Sequence, residues 1–447
     1  MDIIIYGAGV VGRHVAEVLS GAGHNLTVLD LNPDRLAELQ EVLDVRTYVG
    51  NGAQADVLLE VGCAGADLYI GATNYDEVNL LACSVAKGVG AEMTIARVHH
   101  SGFFEQRGFN YTSHLGVDHL VCPEFTTAQT IASVLRSPGA LAIEQFARGK
   151  VELQRLPVDD DAEVIGTPLR ELKMPGRALL TMIERGGKPL FPGADTVIEK
   201  DDVVTLIGDA EGFDKIRQVF QTEPVHRRRI MVMGGTTLGV WLCRALRHRS
   251  FSVRMFEADE KRALELAEKL DWITMLNVDA IRTDALREER VDQADAFVAL
   301  TDDEETNILA AAQAKSMGVK LSIAVLERPT YLHLLEHIGI DRAFSPRATA
   351  AQEILRRLEP GPVRRLATLA DDFADVFEVR VPETATKVIN KPLRELQFPA
   401  RCIIAAIQSG DEVFVPTADS VIRAGDTVVA VAPAGGLRKL NRTFGGR

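Results

Sequence analysis

The sequence predicts an α/β protein made of two doubly wound parallel-sheet domains, each followed by a small α+β domain, arranged as an internal duplication. Three observations carry this reading. The chain repeats itself in the order A-B-A′-B′. Its A segments alternate short apolar runs with amphipathic stretches such as Val10–Ser20, Asp34–Leu43 and Asn74–Val85, which is βαβ patterning. Its B segments carry short apolar runs broken by Gly, Pro and Asp, as in Ala178–Glu184, Val203–Ile207, Ile403–Ile407 and Val428–Val431, which suits antiparallel strands.

The repeat is direct. IIIYGAGVVG matches IMVMGGTTLG, setting Gly7 against Gly234, Gly12 against Gly239 and Asp30 against Glu257. ADLYIGATNYDEVN from Ala66 matches ADAFVALTDDEETN from Ala294, and Gly116-Val117-Asp118 matches Gly339-Ile340-Asp341. The B segments share PLREL followed by proline, at Pro168–Pro175 and Pro392–Pro399, and tails at Ala194–Ile198 and Ala418–Ile422, with Asp202 against Asp426. The expected boundaries are 1–122 and 225–345 for the parallel-sheet domains, 123–140 and 346–365 for crossover or linker helices, and 141–224 and 366–447 for the small domains. The polar stretch Thr222–Arg229 marks the central boundary, and its basic run reads as solvated linker rather than a binding patch.

A chain of 447 residues can bury several cores, and 46% hydrophobic with 25% charged residues is ordinary globular composition. The net charge of −13 disfavours nucleic acid and anionic lipid as partners. The five cysteines are scattered without a C-x-x-C, so neither disulfides nor zinc is expected and a reducing cytoplasm fits. The opening residues lack a basic n-region, and no apolar run approaches the roughly 20 residues that cross a bilayer, so any membrane role is expected to run through a partner.

Gly7-Ala8-Gly9-Val10-Val11-Gly12 follows an apolar strand, Ile3–Tyr6, and opens a helix. In that context a G-x-G-x-x-G is a Rossmann-like dinucleotide fingerprint. Gly7 allows the turn, Gly9 lets backbone approach a pyrophosphate, Gly12 lets helix and strand pack, and free helix amides face the phosphates. Asp30 ends the strand Asn25–Leu29 at about the 20-residue distance where an acid accepts from ribose hydroxyls. Further candidates are Asn51 and Gly52 after a third strand, Thr73 and Asn74 after a fourth, and Arg97 at the end of Met93–Ala96, with His99 and His100 nearby. Gly52 reads equally as a turn residue, Asn74-x-x-Glu77 as a capping box, and Arg97 as either a phosphate ligand or a salt-bridge partner.

In the second copy Gly234, Gly235, Thr237, Leu238, Gly239 and Glu257 keep the frame, and Thr301 is a candidate contact. Thr236 in place of Gly9 and Val325 in place of Arg97 predict a weaker or altered site, and Asp302-x-x-Glu305 repeats the capping pattern. His333 and His337 are spaced i,i+4 and read as ordinary helix histidines rather than metal ligands. No catalytic constellation and no P-loop stands out, so an enzyme is not expected. A NAD-dependent oxidoreductase and a scaffold with degenerate nucleotide sites remain the alternatives.

GAGVVG with Asp30, ATNYDEVN, TIARV and both PLREL segments, in this four-part order, resemble the regulatory subunits of Trk potassium-uptake systems, the TrkA family, across nearly the whole chain. The resemblance implies tandem RCK-type nucleotide-binding domains, each with a TrkA C-terminal domain, and cytosolic gating of a membrane K+ channel or transporter. It implies NAD+ or NADH as ligand, with ATP or ADP as alternatives. It also implies a homotetramer whose Rossmann units form a ring beneath the membrane partner. Gly7, Gly9, Gly12, Asp30, Thr73, Asn74 and Arg97 are the positions it carries over, while Asn51 stands where an aspartate is frequent. A hinge near Pro123 or Pro346 is the expected route from ligand to neighbouring subunits.

Overall fold

The computed structural model describes the chain except residues 105–107, 137–141, 147–150, 210–211, 223–226, 249, 328–336, 359–361, 371–372, 400, 411 and 446–447, and for 142–146 it describes the backbone alone. The described residues divide into two compact units, Met1–Ile131 with Arg227–Leu358, and Ala132–His226 with Glu359–Arg447. His333 lies outside the described residues, so its pairing with His337 does too.

The first unit holds two parallel six-stranded sheets. β1 (Asp2–Tyr6), β2 (Asn25–Asp30), β3 (Arg46–Val49), β4 (Leu68–Gly71), β5 (Met93–Arg97) and β6 (His119–Val121) take the order β3-β2-β1-β4-β5-β6. This is the doubly wound order, in which the chain reverses direction beside the first strand and opens a crevice at the carboxyl ends. β1 is buried along Ile3–Tyr6, as a central strand covered on both faces should be.

The second sheet is built the same way. Further along the chain come β12 (Arg228–Met233), β13 (Phe251–Phe256), β14 (Thr274–Leu276), β15 (Ala296–Ala299), β16 (Leu321–Val325) and β17 (Arg342–Phe344), ordered β14-β13-β12-β15-β16-β17. The basic run is therefore not linker where it is described: Arg228 and Arg229 open β12, because the parallel ladder to Phe251 and Ser252 takes up their backbone. The repeated Gly-x-Asp motif also gains a cause. Asp118 accepts from the Thr94 amide and the Lys87 ammonium at 2.8 Å each, and Asp341 accepts from Ser322 and Lys315 at 2.7 Å, tying each sixth strand to its sheet.

Two crossover helices, Pro123–Arg136 and Pro346–Leu358, begin on proline, which costs nothing at a first helical position because that N–H has no helical partner. They exchange partners. Ala350, Ala351 and Ile354 of the second join the core of the first domain with Val11, Val15 and Leu19 of its fingerprint helix. Phe125 of the first packs edge-on against Trp241 in the fingerprint helix of the second domain, centroids 4.9 Å apart. The two crossover helices meet through Thr126 Oγ1 donating to Glu353 at 2.7 Å and Thr127 with Thr349 at 3.1 Å.

The second unit holds two antiparallel five-stranded sheets. The first contains β7 (Ala142–Phe146), β8 (Val151–Pro157), β9 (Ala178–Arg185), β10 (Lys188–Leu190) and β11 (Val203–Asp209), in the order β10-β9-β11-β8-β7. The other contains β18 (Val363–Leu369), β19 (Ala374–Arg380), β20 (Ile403–Ser409), β21 (Glu412–Phe414) and β22 (Thr427–Pro433), in the order β18-β19-β22-β20-β21. Val151, Leu153, Met182 and Ile207 face Val376, Ala405, Val429 and Val431 in one shared core, and Phe191 stacks on Phe373. The PLREL segments meet their repeated tails: Arg170 pairs with Asp195 and Arg394 with Asp419, and the Leu169 and Leu393 amides donate to Thr196 and Ser420 at 2.9 Å.

Ile354 is 2% exposed inside a core made mostly by the other half of the sequence. Ile354→Ala should cost about 2–4 kcal/mol and Ile354→Val about 1 kcal/mol, read as denaturation midpoints at unchanged slope.

Candidate functional site

At the carboxyl edge of the first sheet, Gly7 has φ +111° and its amide donates to the Leu29 carbonyl at 2.8 Å, so the chain turns sharply off β1. A Cβ on Gly7 would meet Thr73 N at 2.8 Å, and one on Gly12 would meet the Gly7 carbonyl oxygen at 1.8 Å. The fold itself demands these two glycines. Gly9 is different: its backbone, φ −74° and ψ −171°, suits any residue, and a Cβ there meets nothing within 4 Å.

Gly9 is the N-cap of the fingerprint helix Val10–Gly21 and supplies no side-chain cap, so the first-turn amides have no capping partner. Ala8 donates its amide to Asp30 Oδ2 at 2.6 Å and Asn32 donates to Oδ1 at 2.8 Å. Asp30 is thereby fixed beside the loop, 8% exposed, and a carboxylate with two bonds keeps lone pairs for hydroxyl donors. Val10 and Leu31 stand 51% and 63% exposed on either side of these groups. Leu31 was not singled out from sequence, although an apolar residue between Asp30 and the polar turn Asn32-Pro33-Asp34 was the available signal.

The other candidates are positioned, several of them by protein partners. Asn51 Oδ1 accepts from the Tyr6 hydroxyl at 3.1 Å and the Ala53 amide at 3.0 Å, and a Cβ on Gly52 would strike the Tyr6 ring at 2.4 Å. Gly52 thus has a packing cause. Burial, then the nearby Asp30 charge, push the Tyr6 phenol above its ordinary pKa, which keeps it a donor. Thr73 gives both its amide and its hydroxyl to Asn79 Oδ1, at 2.9 and 2.7 Å, while Asn79 Nδ2 donates to the Thr73 and Arg97 carbonyls at 2.9 Å. Asn79, fully buried and repeated as Asn307, therefore ties the ends of β4 and β5 together. Asn74 is exposed.

The capping boxes are not formed. The helix Asp76–Val89 has Tyr75 as N-cap without a side-chain bond, and in the second copy Asp303, not Asp302, caps the helix by accepting from Thr306 at 2.8 Å. Asp76 turns away from its helix to accept from the His99 and His100 amides and from His99 Nδ1 at 2.8 Å. Arg97, 8% exposed, pairs with Glu124 of the crossover helix at 2.9 Å, with His99 Nε2 3.7 Å from the same carboxylate. Its ion pair is thus realised. Its Nε is buried without a protein partner.

The second copy repeats the frame and closes it. Glu257 accepts from Gly235 at 2.7 Å and Asp259 at 2.9 Å, as Asp30 does in the first. A Cβ on Gly235 would lie 2.5 Å from Glu257 Oε2, so glycine replaces Ala8 where the longer acid replaces Asp30. Thr236 caps the helix Thr237–Ala245: its hydroxyl accepts from the Gly239 amide at 3.2 Å and donates to the Leu300 carbonyl at 3.1 Å. Thr237 and Leu238 begin that helix, and Thr301 bonds Asn307 as Thr73 bonds Asn79. Where Val325 replaces Arg97, Arg347 occupies the position equivalent to Glu124, 3.8 Å from Glu327. Aligning Pro346-Arg347 with Pro123-Glu124 would have revealed this reversed charge.

Fold and site define a tandem Rossmann-type protein with paired antiparallel domains, one glycine loop open and one capped. The TrkA-N domain model matches residues 3–123 and 230–346, and the TrkA-C domain model matches 153–221 and 376–445. The chain is 33% identical to the Trk system potassium uptake protein TrkA of Vibrio alginolyticus, covering 96% of this chain and 95% of that one. It is 31% identical to TrkA homolog 1 of Methanosarcina mazei, over 99% and 100%. A solved structure of the GsuK channel bound to NAD shares the fold at a TM-score of 0.61 and 17% identity, over 100% of this chain and 79% of that one. The chain belongs to the TrkA family of Trk potassium-uptake proteins. Among the described residues no helix is long and apolar enough to cross a membrane.

Two variants separate fold from site. Gly12→Ala should destabilise by about 3 kcal/mol or more, because the turn must open to admit the methyl, whereas Gly9→Ala should stay within about 1 kcal/mol in thermal or denaturant unfolding. Burial pushes the Asp76 carboxyl up, but the bonds from the His99 ring and the His100 and His99 amides, with the charge on His99, outweigh it and hold its pKa below the ordinary value. A depressed carboxylate stabilises the fold above its unfolded pKa, near ~4, and that contribution is lost as pH falls through the lower folded value. The stability gap between wild type and Asp76→Asn should therefore narrow below about pH 4 in acid-unfolding titrations.

Proposed function

We propose that this chain is a cytoplasmic regulatory subunit, not an enzyme, that binds NAD+ or NADH at the first glycine loop and passes its nucleotide state to a membrane K+-uptake partner. The observation that carries this is Gly9. The protein gives no steric or conformational reason for a glycine there, yet the missing side chain leaves helix amides open to an anion beside an acid suited to ribose. Gly7, Ala8, Gly9, Val10, Val11 and Gly12 would cradle the pyrophosphate, and Asp30 the ribose. Asn51, Gly52, Thr73 and Asn74 would border the cleft, and Arg97 would take a phosphate only by sharing or leaving Glu124. Asp30 disfavours a 2′-phosphate, and ATP or ADP would place fewer groups along the same loop.

Family membership supports the regulatory reading and the Trk-type partner. A homotetrameric ring held at the inner membrane face through that partner belongs to the same reading. A ligand shifts a gate only by its differential affinity for two states, and a tenfold difference is worth about 1.4 kcal/mol. The fingerprint helix is placed to transmit such a difference, because its buried face packs on the crossover helix Pro346–Leu358.

Gly9→Thr should weaken NADH binding at least tenfold in calorimetry while leaving stability within a few tenths of a kcal/mol, since threonine and glycine are comparable N-caps. Unchanged affinity in folded protein would sink the first-site assignment. K+ flux through the reconstituted partner should depend on this subunit and on nucleotide, and flux indifferent to both would end the regulatory reading.

A further inference from the structure

The amino-terminal edge of the second parallel sheet, remote along the strands from its glycine loop, carries a cavity of about 450 Å³ lined by Arg227, Arg229, Ser252, Arg254, Glu289 and Arg290. Parallel pairing sets Arg229 beside Ser252 and Met231 beside Arg254, so alternate residues of two neighbouring strands put guanidinium groups on one face. Arg254 is held by Glu289 at 2.6 Å, Arg229 by Gln293 at 2.8 Å, and Arg227 Nε by the Phe251 carbonyl at 3.2 Å. Among the described residues nothing pairs with the Arg290 guanidinium. Four cations around one carboxylate leave an excess of positive charge in a protein whose net charge is −13.

The duplication shows that the fold does not require this charge. At the equivalent positions of the first copy, Asp2 stands for Arg229, Asn25 for Ser252 and Thr27 for Arg254, by the same strand register. Gly62 stands for Arg290: each precedes the short 3-10 turn before the fourth strand, in a left-handed conformation, φ +80° for Gly62 and +55° for Arg290. Arg290 is the only non-glycine with positive φ among the described residues of the two parallel-sheet domains. An arginine therefore occupies a backbone position that its sister copy gives to glycine, and its side chain lines the cavity.

We propose that this arginine cavity is a second anion site, separate from the glycine loop, that binds a compact phosphate-rich ligand of the polyphosphate or nucleoside-polyphosphate class. Guanidinium groups match phosphate oxygens in pairs, and convergence on a cavity suits a small polyanion better than a flat bilayer surface. A volume of this size accepts a ligand as large as a nucleotide. With the acidic first copy for contrast, the two Rossmann-type domains then divide their ligands: one takes a dinucleotide at the carboxyl edge of its sheet, the other a polyphosphate at the amino edge.

Tripolyphosphate titrated calorimetrically into the full chain, with excess NADH present, tests this, because differences between variants report on the arginines whether or not NADH binds. The double variant Arg229→Gln/Arg254→Gln should lose at least tenfold in affinity. Arg290→Gly should lose severalfold while its thermal midpoint holds or rises, since glycine adopts that conformation freely; a loss of binding here cannot be ascribed to misfolding. Absent tripolyphosphate binding, or equal affinity in all three proteins, would overturn the proposal. Sedimentation with phosphatidylglycerol vesicles forms the second arm: vesicle binding lost in Arg290→Gly without tripolyphosphate binding would assign the arginines to a lipid surface and overturn it as well.

Discussion

The amides at the start of the first fingerprint helix have no side-chain acceptor among the described residues, and that is the constraint on which the contrast between the two copies turns. A helix start leaves several N–H groups without helical partners. In the second copy Thr236 provides the missing oxygen, and the loop is complete as folded. In the first copy Gly9 provides none, although Asp30 holds the loop through Ala8 just as Glu257 holds the second through Gly235. One residue thus separates a turn with a side-chain cap from one without, while Gly7 and Gly12, whose roles are steric, recur unchanged as Gly234 and Gly239.

The exchange of crossover helices gives that local difference a way to matter elsewhere. The first fingerprint helix is covered by the crossover helix of the other half, so the first domain's core is completed by Ala350, Ala351 and Ile354, while the second meets the first crossover helix through Trp241 and Phe125. The first fingerprint helix therefore packs against residues of the half that carries the capped loop. In the capped copy Asn307 joins the chain at Thr301 and Val325 as Asn79 joins it at Thr73 and Arg97.

Much of the fold was legible because it repeats. Gly7 against Gly234, Asp118 against Asp341 and PLREL against PLREL are each explained by a contact made twice, and alternation of strand and helix set the parallel order. The glycine loop and Asp30 were legible for the same reason: their chemistry is local. What sequence misjudged depends on where side chains turn. Asn74 and Glu77 looked like a capping box that does not form, and Asp76 between them reaches across to His99 and His100; Arg228 and Arg229 looked like linker and are strand. Asn79 and Arg347 passed unnoticed because their partners lie far along the chain.

The claim that one glycine loop is open and the other closed by its own threonine is tested most directly by an experimental structure with NADH. Nucleotide density is expected over Gly7–Gly12, with its pyrophosphate at Gly9 and a ribose on Asp30, and none over Gly234–Gly239, where Thr236 keeps its bond to Gly239. Density at the second loop with Thr236 turned aside, or an empty first loop at saturating NADH, would contradict it.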